Sequence, residues 1–324
     1  MKKHYTPFKI LITVLFLFIV YRKISFEELA TTMRNANLLP LLPFFLFLFL
    51  NSLLSSLKWR LLLGADKIKV SFPRLLKSYL VGTFFNLFLP SSIGGDAYRI
   101  YSIGRHTEKM SQSFASVFID RLSGFLALGI IGLIASIIEL SRSDGLKLIL
   151  VPAALLIALA TAVVIAFNPP FARSIFNTFR LNKIVRLNSL FEKSLNSFTV
   201  YRNKPKMLVK IMILSFVFQM IAACSIFILS KSIQLEIPLA MFFIYVPIIT
   251  VLEAIPLTIF GLGFRDAGYS MFFKHVGIAE FEKTAAAMCL LYVASTLLYS
   301  MIGGVIFLLE RAEHKGKPGE NIPS

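Results

Sequence analysis

Charge is scarce in this 324-residue chain. Asp, Glu, Lys and Arg make up 16% of it, against about 25% in an ordinary soluble protein. Tryptophan occurs once and histidine four times. The two cysteines, Cys224 and Cys289, lie inside apolar runs, which excludes a disulfide scaffold and reads as buried thiols. The four histidines, His4, His106, His275 and His314, do not pair at metal-ligand spacing on one helix. No Gly-rich loop ending in Lys-Ser/Thr and no Gly-x-Ser-x-Gly elbow is present. These absences argue against a soluble enzyme, a metal centre, a cofactor site and ATP-driven work in this chain. No residue stands out as catalytic.

What is abundant is apolar. Hydrophobic residues form 56% of the sequence, 32 of them Phe, and mean hydropathy is +0.75. That composition predicts an all-α polytopic membrane protein. The 34 Lys and Arg outnumber the 17 Asp and Glu. In a membrane protein such an excess marks cytoplasmic loops and anionic headgroups rather than nucleic acid.

Eight apolar segments can be marked: Phe8–Tyr21, Leu38–Leu63, Phe72–Leu89, Phe114–Leu140, Leu146–Phe167, Met207–Ser230, Leu239–Phe260 and Thr284–Leu309. No small-residue cleavage site follows Ile10–Tyr21, so the first segment reads as a short span that stays attached. The basic stretch Asn168–Lys206 suggests an amphipathic surface helix. The tail from residue 313 to 324 is polar and reads as a disordered cytoplasmic extension. If all eight segments crossed, this densest basic loop would face outward. Six full spans plus two re-entrant segments, the third and the seventh, place most Lys and Arg on the cytoplasmic side together with both termini.

The two re-entrant candidates end alike. One reads Leu89-Pro90-Ser91-Ser92-Ile93-Gly94-Gly95-Asp96-Ala97-Tyr98-Arg99. The other runs Ile255-Pro256-Leu257-Thr258-Ile259-Phe260-Gly261-Leu262-Gly263-Phe264-Arg265-Asp266-Ala267-Gly268-Tyr269. Asp96 and Asp266 are 170 positions apart, about half the chain. One integral membrane domain over 1–312, built of inverted halves at roughly 1–140 and 146–310, follows from this pattern.

Pro90, Gly94 and Gly95 are expected to break the third segment, and Pro256, Gly261 and Gly263 the seventh. Broken helices inside a membrane must line a cavity or be buried in protein, and they offer free N–H groups to an anion. Arg99 and Arg265 lie just beyond the breaks and suit phosphate, although headgroup anchoring would use the same residues. Asp96 and Asp266 are expected to cap the following helices, and both belong to the candidate substrate-binding set. Arg121, beside Asp120 and seven residues into an apolar run, either faces a cavity or snorkels to the interface. Glu253, at similar depth, is a possible partner for Arg121 across the two halves. Lys58-Trp59-Arg60 reads as an interfacial anchor or as a headgroup contact.

These motifs, together with Asp120-Arg121-Leu122-Ser123-Gly124 and Glu253-Ala254-Ile255-Pro256, resemble the lysylphosphatidylglycerol synthase transmembrane-region family. The resemblance covers nearly the whole chain, with Asp266 where the family pattern suggests Glu. It implies the flippase-like membrane half of the multiple peptide resistance factor, without the soluble aminoacyl-transferase domain. The implied activity is lipid translocation across the inner membrane of a bacterium or archaeon. Its substrate would be an aminoacylated or anionic phospholipid or a polyprenyl-linked lipid. The competing reading is a membrane enzyme or accessory subunit acting on a lipid headgroup. A homo-oligomer and a separate synthase partner both remain open.

Overall fold

A computed structural model describes residues 26–88, 93–139, 145–178, 192, 195, 198, 200–254 and 261–315. Every regular element among them is a helix. In chain order these are α1 (Phe26–Arg34), α2 (Leu41–Ala65), α3 (Phe72–Phe88), α4 (Ile93–Thr107), α5 (Met110–Glu139) and α6 (Gly145–Phe167). They continue with α7 (Pro169–Thr178), α8 (Pro205–Lys231), α9 (Leu239–Ala254), α10 (Phe264–His275) and α11 (Phe281–Lys315). The protein is an all-α polytopic membrane protein.

Four of these helices, α2, α5, α8 and α11, are long and apolar enough to cross a bilayer. The run 152–165 of α6 and the following α7 reach that length and apolarity only together, as a pair bent by 94° that makes a fifth span if the two count as one. Helix α7 lies in the stretch where a surface helix was expected. The remaining expected span, Phe8–Tyr21, lies outside the described residues, as do Pro90, Pro256 and residues 316–324.

The third and seventh apolar segments do not run straight through. Helix α3 ends at Phe88 and the chain returns as α4, which packs along it; α9 ends at Ala254 and returns as α10, which packs along it in turn. Each pair is a helical hairpin in place of a span.

The packing repeats between the halves. Matching α2, α3, α4 and α5 to α8, α9, α10 and α11 turns every observed helix contact in one half into its counterpart. The last helix of each half covers the other half's hairpin: α5 packs on α9, and α11 on α3. Helices α2 and α8, partners under the same exchange, pack on each other. The helix contacts are thus the same when these two sets of four helices are exchanged.

Glycine makes the exchanged contact close. A Cβ on Gly303 of α11 would lie 1.9 Å from the Leu80 carbonyl oxygen of α3, so only glycine lets these backbones meet. Within the first hairpin, a Cβ on Gly95 would fall 2.4 Å from the Gly82 oxygen. The largest apolar core joins Phe44, Phe242, Phe272 and Phe273 beneath the second hairpin.

Candidate functional site

The two hairpins converge on one cavity of about 390 Å³, lined from both halves. Its charged wall comes from α2, α4, α5 and α9–α10: Lys58, Arg99, Asp120, Arg121, Glu253 and Arg265.

On the first-half side five charged groups form one chain. Asp120 Oδ1 lies 2.8 Å from Lys58 Nζ, and Asp120 Oδ2 accepts from Arg99 Nη2 at 3.0 Å. Arg99 Nη1 reaches Asp96 Oδ1 at 3.3 Å. Asp96 then accepts twice from Arg121, from Nε at 2.6 Å and Nη2 at 3.0 Å. Three cations thus face two carboxylates, leaving one positive charge in excess. The network is dry at one end and open at the other. Side-chain exposure is 4% for Arg99, 5% for Lys58 and 7% for Asp120, but 40% for Arg121. Arg99 is further enclosed between the rings of Trp59, at 4.4 Å, and Tyr79, at 5.1 Å.

On the second-half side Arg265 donates to Glu253 in a fork, Nε at 2.6 Å and Nη2 at 3.1 Å, with its guanidinium 4.3 Å from the Tyr292 ring. Glu253 ends α9 and Arg265 begins α10, so the pair clamps the two arms of that hairpin together. Asp266 Oδ2 accepts from the Gly263 N–H at 2.9 Å, the N3-to-N-cap half of a capping box at the start of α10. The turn needs glycine here: Gly261 has φ +70° and Gly263 φ +85°.

Several sequence expectations change. Asp266 caps as predicted, whereas the Asp96 carboxylate is held by Arg121 and Arg99. The suggested Arg121–Glu253 pair is not formed, because each residue has a partner within its own half. Gly94 and Gly95 do not interrupt a helix; they lie in the first turn of α4, where Gly95 meets the α3 backbone and its N–H donates to Asn86 Oδ1 at 2.7 Å. Lys58 and Trp59 are not interfacial anchors. Both are buried, with Lys58 Nζ also donating to Ser215 Oγ at 3.0 Å and Trp59 Nε1 to Ser116 Oγ at 2.9 Å. Two clues pointed inward: an Asn51, Ser55, Lys58 stripe at i, i+4 and i+7, and an acidic residue inside the fourth apolar segment.

Beyond the end of α2 a second polar cluster joins the halves. Tyr201 Oη donates to Asp66 Oδ2 at 3.3 Å, and Lys204 Nζ to the Ala65 carbonyl at 2.7 Å. Burial raises the Asp66 pKa above its ordinary 3.8, outweighing the pull of Tyr201 and Lys204. Burial, reinforced by the Asp66 carboxylate, pushes the Tyr201 hydroxyl well up.

No curated protein matches this chain. The model of the lysylphosphatidylglycerol synthase TM region matches residues 8–304, which takes in both hairpins, the cavity and every charged group described above. With that match, the chain belongs to the lysylphosphatidylglycerol synthase transmembrane-region family.

Proposed function

We propose that, within a family tied to lipid metabolism or transport, this protein is a flippase-like translocator of a lipid with an anionic headgroup. The observation that carries the reading is Arg121. Its side chain is 40% exposed, lines the cavity where the two hairpins meet, and belongs to a network with one positive charge in excess. Asp96 occupies the Nε–Nη2 edge of this guanidinium; the Nη1–Nη2 edge is the one that can offer a phosphate two parallel hydrogen bonds, and away from bulk water such bonds are strong. The acyl chains stay in the bilayer while the headgroup occupies the cavity. The hairpins, each covered by the last helix of the other half, are the parts whose rocking would expose the site to one leaflet and then the other. Both termini face the cytoplasm of a bacterial or archaeal inner membrane in this reading, which agrees with the basic loops.

The alternative, an enzyme or accessory subunit acting on a headgroup, needs a carboxylate available as a base. Asp120 is held by Lys58 and Arg99, Glu253 by Arg265, and Asp266 by the Gly263 N–H. Those bonds favour translocation.

The test is headgroup accessibility in proteoliposomes, using fluorescent phosphatidylglycerol, its lysyl form and a polyprenyl phosphate. Wild type should move at least one of them. Arg121→Ala should slow it about ten- to a hundredfold, the worth of a charge-assisted hydrogen bond, and Arg121→Lys should recover part of the rate. Folded, inserted wild type that moves none of the three sinks the proposal.

A further inference from the structure

Helix α2 carries one polar stripe that faces the cavity. Asn51, Ser55 and Lys58, at i, i+4 and i+7, share a face and all three line the cavity. They are 9%, 5% and 4% exposed. Lys58 is consumed by the charge network. Asn51 is not: its Oδ1 is buried and accepts no hydrogen bond among the described residues. A buried amide carbonyl in a polar-lined cavity is an acceptor in want of a donor.

The surroundings say what kind of donor fits. Next to Asn51, Ser52 Oγ and Tyr299 Oη share a 2.6 Å hydrogen bond, and Ser55 and Thr296 also face the cavity. These groups are neutral hydroxyls, which suits a neutral donor better than an ammonium.

We propose that Asn51 is the centre of a second subsite, which takes a hydroxyl on the headgroup portion beyond the phosphate. The substrate class is then a phosphate bearing a polyol or a sugar. The position of the phosphate rests on the Arg121 reading above; the hydroxyl preference does not depend on transport.

Two lipid pairs differing only beyond the phosphate test this on the full chain in nanodiscs, by ligand-induced thermal stabilisation. They are phosphatidylglycerol against phosphatidylpropanol, and a glucosyl-phosphoryl polyprenol against the polyprenyl phosphate. Wild type should bind the hydroxylated member of one pair about tenfold more tightly, as one buried hydrogen bond would give. The pair that shows the preference identifies the source of the hydroxyl. Asn51→Leu, close in volume, should abolish the preference and leave the other member's affinity within about twofold. Equal wild-type binding within both pairs means that water serves Asn51, and overturns the proposal. So does an Asn51→Leu variant that weakens both members alike. A preference in binding without movement in proteoliposomes leaves the subsite standing and removes the translocation reading.

Discussion

The sharpest stability prediction concerns Asp120→Asn. The substitution keeps the shape of the side chain and deletes its charge. In the native protein that charge serves two cations at once, Lys58 at 2.8 Å and Arg99 at 3.0 Å, in a region where all three side chains are 7% exposed or less. Without it Lys58 keeps a serine hydroxyl and a carbonyl 3.4 Å away, and Arg99 keeps Asp96 at 3.3 Å and two ring faces. Breaking a buried pair from one side leaves an uncompensated charge and costs about 3–5 kcal/mol. Asp120→Asn should fall in that range, measured by reversible unfolding in mixed SDS and dodecylmaltoside micelles. Lys58→Met alone should also destabilise. Adding Lys58→Met to Asp120→Asn should restore about 2 kcal/mol, since one stranded cation is then gone. The reasoning is refuted if Asp120→Asn stays within about 1 kcal/mol of wild type, or if the second substitution adds its full cost to the first.

Two further outcomes are expected. Gly95→Ala forces the arms of the first hairpin apart and should cost about 1–3 kcal/mol, whereas Gly64→Ala, with nothing within 4 Å of the new methyl, should gain about 0.5–1 kcal/mol from its helical position; thermal unfolding of both compares them directly. At Asp66, burial raises the folded pKa above 3.8, so the native state holds this proton more tightly than the unfolded chain. The group's favourable contribution is full below 3.8 and is lost as pH rises through its folded value. Asp66→Asn should therefore gain on wild type from acid to neutral pH, and a constant difference across that range contradicts the assignment.

Helix positions were legible because apolar run length fixes them; the structure moves the ends of α2, α5, α6 and α8 by only a few residues from the marked segments. The paired hairpins were legible because two copies of one motif stand half a chain apart. Side-chain partners were harder to read. Lys58-Trp59 at the end of an apolar run looks the same whether it meets headgroups or a buried Asp120, 62 residues away. Gly94-Gly95 carries the same letters whether it breaks a helix or lets one pack closely. The cost of its charge left Arg121 either facing a cavity or snorkelling to the interface, and its partner, Asp96 on α4, could not be chosen over Glu253 without the three-dimensional arrangement.

The exchange of covering helices also sets a timetable for synthesis. Ser52 on α2 and Tyr299 on α11 are 247 residues apart and hydrogen-bonded, and the α3 backbone meets Gly303 on that same last helix. At about 5–20 residues per second, the first hairpin waits roughly ten to forty seconds after its synthesis before the helix that seals it has been made. Through that interval the α3 backbone around Leu80 lacks the helix that Gly303 brings against it. The first half is not a finished folding unit when its own last residue is added, so it must persist as an open intermediate until α11 arrives.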